Sequence, residues 1–118
     1  MDIEELREYS LRKKETTEGF PFGEDVLVLK VMGKVFAMIS VRDFPLRMNL
    51  KCDPERALEL RERYDAVLPG YHCNKKHWNT VIFDGSIPKR EILEMIDHSY
   101  QVVVKGLKKA DREKLASA

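Results

Sequence analysis

Two β-branched, apolar runs, VLVLKVM at residues 26–32 and VFAMISV at residues 35–41, are separated only by Gly33-Lys34. That spacing predicts a two-residue β-hairpin with glycine in the first turn position. A hairpin this apolar cannot stand alone in water, so it needs further strands beside it and a layer packed on at least one face. Phe44-Pro45 breaks the second run. The following LRMNLKC, residues 46–52, then alternates apolar and polar side chains, as a strand covered on one face and wet on the other does. The wet face would carry Arg47, Asn49 and Lys51.

The flanking segments supply the covering layer. An acidic helix is predicted over residues 3–14, with Asp2 as its cap and Arg12-Lys13-Lys14 compensating the dipole at its C-terminal end. Asp53-Pro54 opens a second helix running to about Tyr64, in which Asp53 would accept from free backbone amides and Ala57, Leu60 and Tyr64 would be buried. Residues 77–83 read as another strand, and a further one is expected near Gly70. From Pro88 onward, Ile92, Ile96, Tyr100, Val103 and Leu107 recur at helical steps in one long helix or two in line, with the last ten residues solvated. The expected fold is α+β, a two-layer sandwich in the order α-β(3)-α-β(2)-α. Its antiparallel sheet of four to five strands has the helices on one face, and residues 1–118 form a single domain.

Composition narrows the function. A chain of 118 residues, 43% hydrophobic and 35% charged, contains no apolar run near the roughly 20 residues that span a bilayer. Asp2, Glu4, Glu5 and Glu8 stand where a secretory signal would be apolar, so a cytoplasmic location is expected, with Cys52 and Cys73 reduced. The net charge of +1 hides an asymmetry: residues 26–52 hold Lys30, Lys34, Arg42, Arg47 and Lys51 against Asp43 alone, and residues 67–83 hold Lys75 and Lys76 with no acid.

The densest stretch is PGYHCNKKHWNTVIFDG, residues 69–85. His72, Cys73 and His77 lack the second ligand cluster that zinc requires, and Cys73 has no evident base and orienting third group, so neither a metal nor catalysis is expected. Trp78 is expected to bury its ring, and His72, His77 and Asn79 read with it as structural. Lys75 and Lys76 have no evident local role in folding, which makes them the first choice for an anionic partner. Arg47, Lys51, Lys34 and Asn74 complete the candidate nucleic-acid-binding set.

FPFG at residues 20–23, VMGKVFA at 31–37, NLKCDP at 49–54, PGYHCNKKHWNT at 69–80 and Ser99-Tyr100 together resemble the MmcQ/YjbR family of small bacterial proteins over nearly the whole chain. Cys73 departs from that pattern, where methionine would be expected. The resemblance implies a CyaY-like α+β fold shared with secretion chaperones, and a DNA-binding role through a double-wing arrangement. The expectation is a non-enzymatic binding protein for DNA. A protein- or peptide-binding, chaperone-like module or a self-associating one is the alternative. No cofactor is expected.

Overall fold

A computed structural model describes residues 1–117 of the chain. The elements are α1 (Ile3–Leu11), β1 (Thr16–Gly19), β2 (Val26–Val31), β3 (Lys34–Ser40), β4 (Arg47–Lys51), α2 (Pro54–Arg63), β5 (Val67–Pro69), β6 (Trp78–Ile82), α3 (Lys89–Lys105) and α4 (Lys109–Ser117). The strands form one antiparallel sheet in the order β1-β2-β3-β4-β6-β5. All four helices lie on one face, where Leu6, Leu60, Ile92, Ile96 and Leu115 meet Leu27, Leu29, Ile39, Met48, Leu50 and Val81 in a single core. This is the expected α+β sandwich with six strands rather than four or five. The additional strand is β1, whose TTEG sequence carries no apolar alternation because it is an edge strand paired on one side only.

The hairpin differs from its expected register by one residue. Val31 pairs with Lys34, so the turn is Met32-Gly33, and both residues have positive φ (49° and 81°). A type I′ turn requires that sign at both central positions; glycine adopts it freely at the second, and Met32 accepts it at the first. The shift makes Lys34 a strand residue, opposite a core valine.

A bulge then interrupts the β2–β3 ladder: Leu29 faces Ala37 and Lys30 faces Val35, which leaves Phe36 without an opposite residue. Its side chain enters the core, edge-on to Tyr100. The backbone is repaired from α3: the buried Ser99 hydroxyl accepts from the Lys51 N–H (2.9 Å) and donates to the Phe36 carbonyl (2.5 Å).

Several helix ends differ from expectation. Asp2 caps α1 through the Glu5 N–H, but the helix stops at Leu11. Lys13, expected to serve the helix dipole, instead pairs with Asp97 on α3 and lies over the rings of Tyr9 and Tyr100. Asp53 precedes α2 without a side-chain cap bond; its own N–H donates to His98 Nε2 (3.2 Å). Tyr64 follows α2 and is half-buried, with its hydroxyl on Glu91. The C-terminal segment forms α4 and buries Leu115.

Candidate nucleic-acid interface

Side chains on a strand alternate between faces and directly paired residues share one, so the register assigns each candidate its side. Since Leu27, Ile39, Met48 and Val81 form a row in the helix-covered core, the neighbouring rows face away from it. One contains Val28, Met38, Asn49, Thr80 and Leu68; another contains Val26, Ser40, Arg47 and Ile82. Lys30 shares the face of Val28, and Lys51 lies opposite Trp78 on the same face. Lys30, Arg47 and Lys51 therefore share the helix-free face, while Lys34, opposite Val31, belongs to the helix side.

Position along the strands sorts the charges a second time. The Met32-Gly33 turn, the end of β4 at Lys51 and the start of β6 at Trp78 share one end of the sheet. Lys75 and Lys76 enter β6 there. Arg47 stands at the opposite end of β4, four residues or about 13 Å from Lys51. It has no ion-pair or side-chain hydrogen-bond partner among the described residues.

Loop 70–77 is held down at both ends. Gly70 donates to the Trp78 carbonyl (2.8 Å), and a Cβ placed on Gly70 would lie 2.7 Å from Trp78 Cβ. From α2, Arg61 donates through Nε to Asn79 Oδ1 (2.7 Å), and through Nη2 to the Trp78 (3.3 Å) and Lys75 carbonyls. The buried Asn79 amide in turn donates to the Ala57 carbonyl (3.4 Å). Arg61 had no signal in the sequence, where it reads as an ordinary helix-surface charge between Leu60 and Glu62.

The loop then folds back across the open face. Asn49 donates to the Tyr71 carbonyl (3.1 Å) and to Cys73 Sγ (3.5 Å), the Thr80 hydroxyl donates to Asn49 Oδ1 (2.5 Å), and the Tyr71 N–H donates to Thr80 Oγ1 (2.9 Å). His72 takes a positive φ of 57°, a costly conformation outside glycine, with its ring centroid 4.0 Å from that of Tyr71.

This geometry separates the candidate residues. Lys75 does have a local role: its ammonium donates to the Gly70 carbonyl (3.0 Å) and closes the loop. Asn74 makes an Asx turn onto the Lys76 N–H (2.9 Å), which leaves the Lys76 side chain exposed. His77 is half-buried and accepts from the Cys52 N–H through its carbonyl (2.8 Å). Trp78 is not buried as expected. It is half-buried, its side chain leaving the sheet on the open face beside Lys51, and its indole N–H has no partner among the described residues. Burial pushes the Cys52 thiol up to about 11 and raises Cys73 as well. Among the described residues no group of three or more His, Cys, Asp or Glu could hold a metal ion, and no helix is long and apolar enough to cross a membrane.

Between loop 70–77 and the far end of the sheet lies a cleft of about 480 Å³. Val26 and Met38 line its floor, Phe22 comes from the β1–β2 connection, and Tyr71, His72 and Cys73 come from the loop. Ser40, Asp43 and Arg47 add polar groups at its far edge, beside Asn49 and Thr80 on the floor. Phe22 and Tyr71 are 68% and 63% exposed, leaving both rings free to stack on another molecule.

A small α+β domain with its helices on one face and a loop-bordered cleft on the other defines the class of this protein. The chain belongs to the YjbR family, whose sequence model matches residues 11–102. It is 35% identical over 115 residues to the uncharacterized protein YjbR of Escherichia coli K12, covering 98% of both chains. It is 38% identical over 97 residues to the uncharacterized protein YbdF of Escherichia coli O157:H7, covering 81% of this chain and 79% of that one. The crystal structure of Deinococcus radiodurans DR2400, a DUF419 domain, superposes with a TM-score of 0.91 at 40% identity, covering 98% of this chain and 88% of that one. A Pseudomonas syringae protein superposes at 0.74 with 27% identity, covering 86% and 98%.

Proposed function

We propose that this protein is a binding protein without catalytic activity and that it binds single-stranded nucleic acid, DNA in the first instance, across the open face of its sheet. The observation that carries the reading is the cross-strand pair Lys51–Trp78, with Lys30 and Arg47 on the same face. The part of the indole left uncovered on this face can stack on any base, and cations on the same face neutralise the backbone, the combination by which sheet surfaces hold single strands without sequence preference. Duplex binding through the hairpin as a wing has less support, because Lys34 belongs to the helix side and Lys75 is committed to its own loop. The thiol and histidine of the loop do not form a nucleophile–base pair. Cys73 faces an amide with its pKa raised, and His72 stacks on a ring instead of meeting a nucleophile.

Trp78 is the only tryptophan, so it reports on its own surface. Titration with oligo-dT should quench its emission. The affinity should fall with salt at a log–log slope of about −2, the roughly −0.7 per phosphate of a single strand applied to Lys30, Arg47 and Lys51. Lys51→Ala should make that slope shallower by about 0.7, and Trp78→Ala should weaken binding by about 1–3 kcal/mol, read by anisotropy of a labelled strand. No quenching and no anisotropy change at micromolar protein and low salt would refute the reading.

A second reading, a protein partner or a second copy of the chain, is favoured by the aromatic end of the sheet. Phe20, Phe22 and Phe44 are all exposed there, Phe44 completely. Sedimentation of the wild type against Phe44→Ser tests self-association: a concentration-dependent dimer that the substitution abolishes supports it, and a monomer at every concentration removes it.

A further inference from the structure

The cleft has a specific inventory of unsatisfied groups, and this inference rests on the single-strand reading of the same face. Both polar atoms of the Asn49 side chain are bonded, and the Thr80 hydroxyl both donates and accepts. The groups left over at its far edge are the Ser40 hydroxyl, the Asp43 carboxylate and the Arg47 guanidinium, and in its wall the Tyr71 hydroxyl and the His72 ring nitrogens are likewise without a hydrogen bond among the described residues. None of the three at the edge has a side-chain partner among the described residues, and the carboxylate and guanidinium are not paired with each other. A cleft with an apolar floor, exposed rings in its walls, and a free anion and a free cation at its edge suits a planar body that carries an N–H donor edge and a separate negative charge.

Single nucleotide units have that general form, and the donor edge distinguishes among the bases. A carboxylate presents two acceptor oxygens side by side. Guanine alone offers two adjacent donors, N1–H and the N2 amino group. Adenine and cytosine place an acceptor beside their single amino donor, and thymine places its N–H between two carbonyls, so each would turn a lone pair toward Asp43. We propose that the cleft takes one unstacked guanine of the bound strand, its ring between Phe22 and the Tyr71–His72 pair, its N1–H and N2 edge on Asp43, and its phosphate facing Arg47. The lysine end of the face would then bind any sequence, and the cleft would select one base.

The test compares labelled 15-nucleotide dT strands whose central base is T, G, A or C. The central-G strand should bind about tenfold more tightly than the all-T strand, within the range of one good bidentate base contact. Neither A nor C should reproduce that gain, and Asp43→Asn, an isosteric change on an exposed loop, should bring the G-to-T ratio to about one. A ratio of one in the wild type, with all-T binding intact, overturns the cleft assignment and leaves the face reading standing. A G preference that survives in Asp43→Asn overturns it as well. If no strand binds, the face reading fails and free 5′-GMP against 5′-UMP decides the cleft by chemical-shift titration. Selective shifts of Phe22, Asp43 and Tyr71 with GMP uphold it, and equal or absent shifts overturn it.

Discussion

Ser99→Ala removes one oxygen atom, yet it should be among the most destabilising single changes in this chain. Ser99 is fully buried, and its hydroxyl satisfies two backbone groups that the β3 bulge brings off the ladder: the Lys51 N–H at 2.9 Å and the Phe36 carbonyl at 2.5 Å. Alanine fills nearly the same volume, so no cavity term enters. The loss is that of a buried donor and a buried acceptor left without partners, about 1–3 kcal/mol each, or about 2–6 kcal/mol together. Urea unfolding followed by circular dichroism measures it. With a slope of about 2 kcal/mol per molar, typical for small domains, a loss of about 3 kcal/mol lowers the midpoint by about 1.5 M at constant slope. A loss under about 0.5 kcal/mol would refute the argument, because it would mean that water or a relaxed ladder already satisfies the two groups. The outcome also bears on the proposed interface, since the Lys51 backbone that Ser99 holds carries the ammonium placed beside Trp78.

Gly70→Ala should cost about 1–3 kcal/mol by overpacking, because the new methyl would meet Trp78 Cβ and its carbonyl at 2.7 and 2.9 Å; thermal melting compared with Gly85→Ala, where nothing lies within 4 Å but φ is positive, separates crowding from backbone strain. His98 should make folding pH-dependent. Burial, then Arg56 and Lys105, lower its pKa from 6.5, with Asp53 opposing, so the unfolded chain binds the proton more readily. The His98 contribution is complete above about pH 6.5 and is lost as pH falls through the lower folded value. Urea midpoints between pH 7.5 and 5.5 should therefore drop in the wild type and change less in His98→Gln; parallel curves would remove His98 as the source. Arg61→Leu should loosen loop 70–77 while leaving α2 intact, read as faster amide exchange at Lys75, His77 and Trp78 with little change at Ala57; unchanged exchange would show that the loop's other hydrogen bonds hold it without Arg61.

What the sequence determined by itself is local. Alternation in residues 26–52 and 77–83 and three- and four-residue spacing after Pro88 specify strands and helices because each needs an apolar stripe of its own period. Those stripes also put the helices on one face and Arg47, Asn49 and Lys51 on the other. The motif residues 69–80 marked the family and the loop. Tertiary structure decided the rest, because it depends on partners far along the chain. The edge strand β1 exists only through its pairing with β2, and the side of Lys34 follows from a one-residue choice of turn that the strands enforce. Lys75 and Asn74 are spent on the loop, whereas Trp78 stays only half-buried because Gly70 and Arg61 grip its backbone and leave its ring on the open face. The cleft was invisible in the sequence for the same reason. Phe22, Asp43, Arg47 and Tyr71 come from three separate connections and one strand, and only the register of the sheet and the fold-back of loop 70–77 onto Asn49 and Thr80 bring them to one place.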